Sequence, residues 1–531
     1  MHSFFGKEIS GPFTIPSGIV TTDVTVIERI ANTVPEIGIL TTKSIGLQPK
    51  TGNREPIIAR YAPRTIINAV GLSNPGAIHF AQKLATIKIP KNKFLLISIF
   101  GGDENEFAQV AKILYKYADG FELNLSCPHS KRYGQVVGAN YELAYKITRA
   151  VSALGKPTLV KISPSFQIET MIQGLLDAGA NGFVAINTKG PQSFTHDNHP
   201  VLSNKVGSLS GRIIFNIGLD CVKRIRRLTD LPIIANAGIS TASDIKKYKS
   251  AGANYFGIGT ALTGLTTDEI RRYFYHLAFD LASNTNETSL ILKKNIPMHY
   301  MKFRIKNKIQ LATDMFVLEF NQGISIKPGQ YVFVWIPEKG EKPFSVFDDR
   351  PMSLLIQNRG FFTIELSKLE AGDTVYIRGP YGNSPKVSKN TLLVGGGSGV
   401  AGLYLFAKRK KGMTAILGAK DKKHLYFEKF EKVCKKIYLT TDKGDFGKKG
   451  FITQYLDEIL KESKPDYCLN CGPEPMVHAA IEKEKKALPQ ERIFSSIEYL
   501  TKCGIGLCGS CATSKGYRNC IDGTFLTPMQ I

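Results

Sequence analysis

The chain has 531 residues, which predicts two to four domains, and its 43% hydrophobic content is enough to bury real cores. No stretch approaches the roughly 18 apolar residues of a membrane helix, and the beginning lacks a signal-peptide pattern, so we expect a soluble cytoplasmic protein without a membrane partner. The net charge of +24 leaves nucleic-acid binding open, but the basic stretches lack interleaved aromatic residues, which favours a lysine-rich solvated surface.

Residues 1–283 repeat one rhythm, in which a short apolar strand ends in a polar or glycine-rich turn and a helical stretch follows. Eight strands alternating with helices are typical of a (β/α)8 barrel of roughly 250 residues. The strands are PFTIPSGI (12–19), GILTTKSI (38–45), FLLISIFG (94–101), GFELNLSC (120–127), TLVKISPS (158–165), GFVAINT (182–188), PIIANAGI (232–239) and YFGIGTAL (255–262). Polar residues cluster where the strands end, which is where such barrels place their chemistry.

Cys127 is the first candidate for chemistry, because it lies just past the fourth strand and a proline fixes the turn that follows. A thiolate at this place could act as a general base, provided that the site lowers its pKa from about 8.5. The alternative is a small buried hydrophobic residue. The position at the carboxyl end of a barrel strand favours function.

Other polar residues close the neighbouring strands. Lys43 ends the second strand and Lys161 the fifth, where two lysines indicate bound anions or a reduced flavin, with salt bridges as the alternative. The loop NAVGLSNPG (68–76) is rich in amides and suits a small carboxylate or carbonyl. The turns ANAGI and GIGTAL end the last two strands, the usual phosphate site of a barrel, and so imply FMN.

Residues 284–297 are polar, lose this rhythm and are predicted to be a linker. Closely spaced strands follow, separated by glycine and proline turns, and they predict a small antiparallel barrel over 298–388. The predicted strands are FRIKNKIQLATDMFVLEF (303–320), GQYVFVWIP (329–337), FFTIEL (361–366) and DTVYIRGP (373–380). Strand–helix alternation returns over 389–490 and predicts an α/β domain.

Three motifs stand out in this second half, and two of them, RPMS and the glycine turn at 392–402, offer groups to phosphates. RPMS (350–353) supplies a guanidinium fork and a hydroxyl, and CGPEPM (471–476) ends another predicted strand. LLVGGGSGVAG (392–402) places its glycines between a strand and a helix, where amides and a helix N-terminus can face a phosphate. Its spacing departs from G-x-G-x-x-G, so a tight glycine turn is the alternative.

The last segment, 491–531, carries four cysteines spaced C-x4-C-x2-C-x8-C, namely Cys503, Cys508, Cys511 and Cys520. Structural zinc sites use two separated pairs, whereas three crowded cysteines and a later fourth are the plant-type [2Fe–2S] spacing. Glycines 504, 506 and 509 allow close backbone approach and positive φ. The spacing therefore predicts a [2Fe–2S] cluster, a one-electron carrier that is useful between flavins and nicotinamides.

Over about 297–531 the order RPMS, VGGG, CGPEPM and cysteine tail resembles the ferredoxin-reductase-like subunit of class 1B dihydroorotate dehydrogenase. The resemblance implies that the four terminal cysteines ligate the cluster. It further implies that FAD is held by Arg350, Pro351, Met352 and Ser353. It places the NAD site at Gly395, Gly396, Gly397, Gly399 and Cys471.

Over about 1–285 the stretches TTKSIGLQPKTGN, NAVGLSNPG, ELNLSCP, LVKISP, INTKG, SLSG and GIGTA resemble the catalytic subunit of class 1 dihydroorotate dehydrogenase. The resemblance implies that Cys127 removes the C5 proton of dihydroorotate while hydride passes from C6 to FMN. It implies a substrate site made of Lys43, Asn68, Ala69, Val70, Gly71, Leu72, Asn124, His129, Asn187 and Thr188. It implies an FMN site made of Ser17, Lys43, Ser44, Asn124, Lys161, Ile186, Gly211, Ala237, Gly238, Gly259 and Thr260.

Together the two resemblances imply a fusion that passes electrons from dihydroorotate through FMN, the cluster and FAD to NAD+, with at least a homodimer formed by the barrels. His129 stands where this family commonly has asparagine, and NLSCPH also resembles dihydropyrimidine dehydrogenase. The NAVGLSNPG loop favours dihydroorotate, because uracil has no carboxylate. A uracil or thymine dehydrogenase, a general NAD(P)H reductase and a nucleic-acid-binding protein remain the alternatives.

Overall fold

The computed structural model describes residues 2–125, 140–283, 285, 294 and 296–531. The chain forms two compact units: Met1–Ile296 together with Ile505–Ala512, and Pro297–Gly504 together with Thr513–Ile531. The segment Ile505–Ala512 is thus part of the first unit although it lies near the end of the chain. No helix within the described ranges is both long and apolar enough to span a bilayer.

The first unit is built on a closed barrel of eight parallel strands that neighbour one another in chain order, so that the eighth strand pairs with the first. This confirms the predicted (β/α)8 barrel. The strands are Phe13–Ile15, Ile37–Thr41, Phe94–Ile99, Gly120–Leu123, Thr158–Ile162, Gly182–Ala185, Ile233–Ala235 and Tyr255–Gly257. They are short and almost wholly buried, as expected of parallel strands covered on both faces.

Helices surround the barrel, and each buries one stripe of apolar residues. The first begins after Asp23, whose side chain accepts a hydrogen bond from the Thr25 amide, and it buries Val26, Ile27 and Ile30 at helical spacing. Among the described residues of this unit the helices are Val24–Thr33, Ala77–Leu84, Glu104–Leu114, Tyr141–Ser152, Ile168–Asp177, Phe215–Arg226, Ala242–Ser250 and Thr267–Ser283, with 3-10 turns at Arg212–Ile214 and Thr260–Leu262.

Additional strands cover the two ends of the barrel. A hairpin, His2–Phe4 with Lys7–Ile9, packs Phe4 against Phe94 and Tyr255. A second hairpin pairs Thr195–His196 with His199–Pro200. A four-stranded antiparallel sheet has the order Lys189–Ser193, Val206–Gly211, Thr65–Asn68, Ile58–Ala62. Because Lys189–Ser193 follows the sixth barrel strand, this sheet extends from the carboxyl ends of the barrel strands.

The second unit contains a seven-stranded antiparallel sheet over the residues predicted to form a small antiparallel barrel, which confirms the antiparallel strands. Two cores flank it, one of which includes Phe303, Leu318 and Val334. The strands in spatial order are Gly340–Ser345, Tyr331–Ile336, Thr374–Tyr381, Met301–Ala312, Met315–Phe320, Met352–Gln357 and Asp348–Asp349.

One strand prediction in this unit was wrong, because FFTIEL lies in the helix Phe361–Ser367. Thr363 caps the helix: its hydroxyl accepts the Gly360 amide and donates to the Gly360 carbonyl. Phe362 and Leu366, four residues apart, are buried, while Ile364 between them is exposed. The apolar residues at alternate positions had indicated a strand, but burial follows the helical period.

The α/β part of the second unit is a six-stranded parallel sheet in the order Lys448–Lys449, Lys436–Thr441, Thr414–Ala419, Thr391–Gly396, Tyr467–Cys471, Ile493–Ser496. Its chain order reverses between Thr391–Gly396 and Tyr467–Cys471, and such a switch point opens a ligand crevice at the carboxyl ends of the strands. The helices are Ala401–Arg409, Glu428–Glu431, Ile452–Ser463 and Glu474–Glu484, with Asn519–Asp522 in the tail.

Candidate functional site

A chain of hydrogen bonds crosses the carboxyl ends of the barrel strands. The hydroxyl of Ser44 lies 3.2 Å from that of Ser17 and 2.9 Å from that of Ser98. Ser98 donates to Glu122 Oε1 at 2.8 Å, and the same oxygen is 3.5 Å from Lys161 Nζ. Glu122 and Lys161 are almost wholly buried, so the ion pair is desolvated and each charged group is stabilised by its partner in place of water.

A branch of this network orders the amides predicted to bind substrate. Asn124 Nδ2 donates to Ser44 Oγ at 2.8 Å, and Asn187 Nδ2 donates to Asn124 Oδ1 at 3.1 Å. Asn187 Oδ1 in turn accepts the Thr188 amide at 2.9 Å. Residues that follow the second, fourth and sixth strands are therefore held in fixed orientations at one end of the barrel.

The NAVGLSNPG loop lies beside this network and is fixed by Asn53 and Asn74. The Asn53 amide and side chain donate to the carbonyls of Val70 and Ala69, and Asn74 Nδ2 donates to the Leu72 carbonyl. A Cβ on Gly71, whose φ is +79°, would lie 2.8 Å from the Asn53 nitrogen, so the loop requires glycine there.

Two further contacts connect predicted substrate residues to this region. Lys43 Nζ donates to Ser73 Oγ at 3.4 Å, and Asn68 Nδ2 donates to the Ser208 carbonyl at 3.3 Å. The Ser208 hydroxyl and Asn236 Oδ1 are buried and have no hydrogen-bond partner among the described residues. Buried polar atoms are normally satisfied, so these two atoms fit a site that binds a polar ligand.

The predicted phosphate-binding residues come together at the seventh and eighth strands. A Cβ on Gly238 would lie 2.7 Å from the Gly211 carbonyl oxygen, and a Cβ on Gly211 would lie 3.1 Å from Thr260 Oγ1. Gly259 precedes the 3-10 turn that begins at Thr260. Only residues without side chains allow the backbones to approach this closely, which is the arrangement that phosphate cradles use. Ala237 and Ile186, also predicted to bind FMN, are buried.

The crevice of the α/β sheet holds a cavity of about 500 Å³, within the range of cofactor sites. Gly396 and Gly397 line it on one side of the switch point, and Pro473 and Met476 line it on the other. The predicted residues Gly395, Gly399 and Cys471 form the adjacent backbone: Gly395 pairs with Cys471, and a Cβ on Gly399 would lie 2.6 Å from the Cys471 carbonyl oxygen. Burial raises the pKa of the Cys471 thiol to about 11.

Basic side chains also line this cavity, and the motif search missed them. Lys420, Arg359 and His424 contribute to its wall. His424 lies between two carboxylates, with Nε2 2.6 Å from Asp314 Oδ1 and Nδ1 2.6 Å from Asp421 Oδ1. The His424 hydrogen bond lowers the pKa of Asp314 to about 2. Positive groups beside a glycine turn suit the diphosphate of a dinucleotide.

The RPMS residues divide between surface and core. Arg350 and Pro351 are exposed, whereas Met352 and Ser353 begin a buried strand. The Ser353 hydroxyl is buried without a hydrogen-bond partner in the part of the chain that the structure describes. That orphaned hydroxyl fits a polar ligand at the strand's beginning.

The family model for dihydroorotate dehydrogenase matches residues 1–272, which is more than half of the chain. The chain belongs to the dihydroorotate dehydrogenase family.

Two relatives match different subunits of one enzyme type. The catalytic subunit of dihydroorotate dehydrogenase B (NAD(+)) from Methanocaldococcus jannaschii is 38% identical over 263 residues, which cover 48% of this chain and 85% of the relative. The probable electron transfer subunit of dihydroorotate dehydrogenase B (NAD(+)) from Thermococcus kodakarensis is 39% identical over 230 residues, 42% of this chain and 94% of the relative. A solved NADH-dependent reduced ferredoxin–NADP oxidoreductase is 30% identical over 43% of this chain and 88% of its own, with a TM-score of 0.40.

For a dihydroorotate dehydrogenase, the barrel network supplies two residues that sequence reasoning missed, Ser98 and Glu122. Both lie on predicted strands, and the signal that could have found them is a polar residue inside an otherwise apolar strand. The predicted base Cys127 and the neighbouring His129 lie outside the described residues.

The four predicted cluster cysteines are all buried. Gly504, Gly506 and Gly509 have φ values of +76°, +73° and +67°, so the loop uses glycine for the conformation that the sequence predicted. Within the described ranges no group of three or more His, Cys, Asp or Glu side chains is arranged to hold a metal ion. The residue types fit a [2Fe–2S] cluster by their chemistry, since four thiolates are its usual ligands.

Proposed function

We propose that this chain oxidises dihydroorotate to orotate with NAD+ as the final acceptor, as a step of pyrimidine biosynthesis. The observation that carries the proposal is that one polypeptide matches both a catalytic and an electron-transfer subunit of dihydroorotate dehydrogenase B (NAD(+)). The two compact units supply the two chemistries that such an enzyme needs: a barrel with a polar mouth, and a parallel sheet with a dinucleotide-sized cavity.

In the barrel, the chain's residues bind the substrate and move one proton. The Cys127 thiolate takes the proton from C5 and becomes a thiol, while hydride leaves C6, so that a C5–C6 double bond forms; a flavin bound at the barrel mouth would accept the hydride. Asn68, Asn124, Asn187 and Thr188 hold the pyrimidine ring, and the backbone from Ala69 to Leu72 receives its carboxylate. Lys161, whose Nζ lies 3.5 Å from Glu122 Oε1, would offer a positive charge to the negative charge that develops on a flavin bound there.

The proposed cofactors follow from the same residues. FMN is held at the barrel mouth by Ser17, Ser44, Lys161 and the turn around Gly211, Gly238, Gly259 and Thr260. FAD is held by Arg350–Ser353, NAD+ by the crevice at Gly396 and Gly397, and the [2Fe–2S] cluster by Cys503, Cys508, Cys511 and Cys520. When bound, these groups convert two-electron oxidation into single-electron steps and back again. NAD+ then leaves as NADH, which balances the reaction with one released proton. We further propose a cytoplasmic homodimer formed through the barrels.

The test is an anaerobic titration of the purified protein with dihydroorotate, followed by addition of NAD+. The expected result is bleaching of both flavin and cluster absorbance, then formation of one NADH for each orotate. Cys127→Ala should slow the bleaching by roughly 10²–10⁴-fold, the contribution of a general base. Cys221→Ala is the matched control, because Cys221 is buried in the same unit and burial raises the pKa of its thiol to about 12.

Each other outcome identifies a different protein. NADPH-driven reduction of uracil without turnover of dihydroorotate would indicate a dihydropyrimidine dehydrogenase. Reduction of an artificial acceptor by NADH, with dihydroorotate inert, would indicate a general reductase. Salt-dependent retention on DNA without flavin absorbance would indicate a nucleic-acid-binding protein.

A further inference from the structure

The cysteine segment Ile505–Ala512 is hydrogen-bonded to two loops at the carboxyl end of the barrel. The Val20 amide donates to the Leu507 carbonyl at 2.7 Å, and Thr22 Oγ1 donates to the Cys508 carbonyl at 3.0 Å. On the other side the Gly264 amide donates to the Ile505 carbonyl at 2.9 Å. Val20 and Thr22 follow the first barrel strand and Gly264 follows the eighth, and these two strands are neighbours.

The contact is also close in steric terms. Gly509 has a φ of +67°, and a Cβ at this position would overlap Thr22 Oγ1. Thr22 itself is 7% exposed, so its side chain has little room to move away. A glycine in the cysteine loop therefore faces a threonine of the barrel with no space for a larger residue.

Backbone strain marks the same segment. Val20 is wholly buried and has a φ of +57°, a conformation that β-branched residues rarely adopt because it costs on the order of 1–3 kcal/mol. Its amide makes the shortest of the three hydrogen bonds to the cysteine segment. Strained residues persist where the surrounding structure holds them, and they concentrate at functional sites.

The strained segment also leads directly into the polar network of the barrel mouth. Ser17, whose hydroxyl lies 3.2 Å from Ser44 Oγ, precedes Val20 by three residues. A short path of covalent bonds and one hydrogen bond thus connects the network to the residue before Cys508. Since electronic coupling weakens with every through-space gap, such a path favours electron transfer.

We propose that Val20 and Thr22 are positioning residues that dock the cysteine loop on the barrel, and that the segment Ser17–Val20 is the route by which electrons leave the barrel site. The inference rests on the proposed function, because it takes Cys508 to be a cluster ligand. It adds to that function a specific connection, made by one hydroxyl and one strained amide. Thr22 acts on the rate through Cys508 and touches no substrate.

The experiment compares Thr22→Val with Thr22→Ser, which keeps the hydroxyl, and with Thr21→Val. Thr21 is the matched control: it is also buried, but its hydroxyl donates to the Thr41 carbonyl inside the barrel. Each holoenzyme is mixed anaerobically with dihydroorotate, and flavin bleaching and cluster bleaching are timed separately. Amide hydrogen exchange of 505–512 is measured on the same samples.

Thr22→Val should leave the first phase of flavin bleaching, that of FMN, unchanged and slow the subsequent bleaching of the cluster by roughly tenfold, since misplacement by about 1 Å can cost up to ~100-fold in enzyme reactions. Exchange of 505–512 should rise about fivefold, the factor equivalent to about 1 kcal/mol of lost hydrogen bonding. Thr22→Ser should restore both quantities, and Thr21→Val should change neither. Unchanged cluster bleaching in Thr22→Val, or equal effects in Thr21→Val, would overturn the inference.

A second pair of variants tests the steric contact in case Thr22→Val does not fold. Gly509→Ala should slow cluster bleaching, and adding Thr22→Ala should partly restore it by removing the overlapping oxygen. If the double variant is no faster than Gly509→Ala, the effect comes from the positive φ of residue 509 and the docking role is wrong. Failure of dihydroorotate to bleach the flavin in the unaltered protein would instead refute the proposed function.

Discussion

The buried pair Arg378–Glu341 offers the sharpest test of how the second unit is held together. Both side chains are 1% exposed, and Arg378 donates to Glu341 from Nε at 2.9 Å and from Nη2 at 2.5 Å. Nη1 of the same guanidinium donates to Tyr381 and to the Cys503 carbonyl. The guanidinium also lies 3.9 Å from the centroid of the Phe333 ring. Removing the arginine leaves a buried carboxylate without its countercharge.

Arg378→Met should therefore destabilise the second unit by about 3–5 kcal/mol, the usual cost of breaking a buried ion pair. With a denaturant slope of roughly 2–3 kcal/mol per M, the urea midpoint should fall by about 1–2.5 M. The chain's single tryptophan, Trp335, is buried in this unit, with its ring centroid 4.7 Å from that of Tyr300. Its fluorescence therefore reports on the unfolding of this unit.

A control variant and a double variant test whether the loss of stability comes from the broken ion pair. Arg304→Met removes an exposed arginine from a strand that pairs with that of Arg378, and it should stay within about 0.5 kcal/mol of the parent. Replacing both partners, Arg378→Met with Glu341→Leu, should recover at least half of the loss, because no buried charge remains. A double variant as unstable as Arg378→Met alone would refute the reasoning.

Three further predictions concern the pH dependence, the dinucleotide crevice and the barrel. Burial raises the pKa of Glu484 to about 7, above the roughly 4.3 of an unfolded chain. The folded state therefore binds this proton more tightly, and the free energy of unfolding falls as the pH rises from about 4 to 7. Glu484→Gln should flatten that fall, measured at about pH 5 and about pH 8. Gly399→Ala should clash with the Cys471 carbonyl and lower the rate of NAD+ reduction by roughly 100-fold, while flavin bleaching by dihydroorotate persists. An equal loss of NAD+ reduction and of flavin bleaching would contradict this prediction. Lys161→Met should lower turnover of dihydroorotate by roughly 100-fold or more by leaving Glu122 unpaired, with Lys161→Arg retaining part of it in steady-state assays.

Local patterns determined most of the architecture. All eight barrel strands were predicted, because short apolar strands that alternate with helices can bury both faces only in a parallel sheet. The glycine turns of the barrel and of the α/β sheet were also evident, since a chain that must approach another backbone closely needs residues without side chains. The helix Phe361–Ser367 escaped prediction because a six-residue apolar pattern fits either period, and only its packing decides which residues are buried.

Only the tertiary structure decided which of these strands, loops and side chains contact one another. The hydrogen bonds through Ser98 and Glu122 join residues of different strands, and no local pattern encodes them. The docking of the cysteine loop pairs Thr22 with Cys508, which are 486 residues apart. The sequence by itself determined which residue types and turns exist, because these depend on neighbours along the chain. The folded chain decided which of them share a site, because contacts of such separation form only when distant surfaces are complementary in shape and hydrogen bonding.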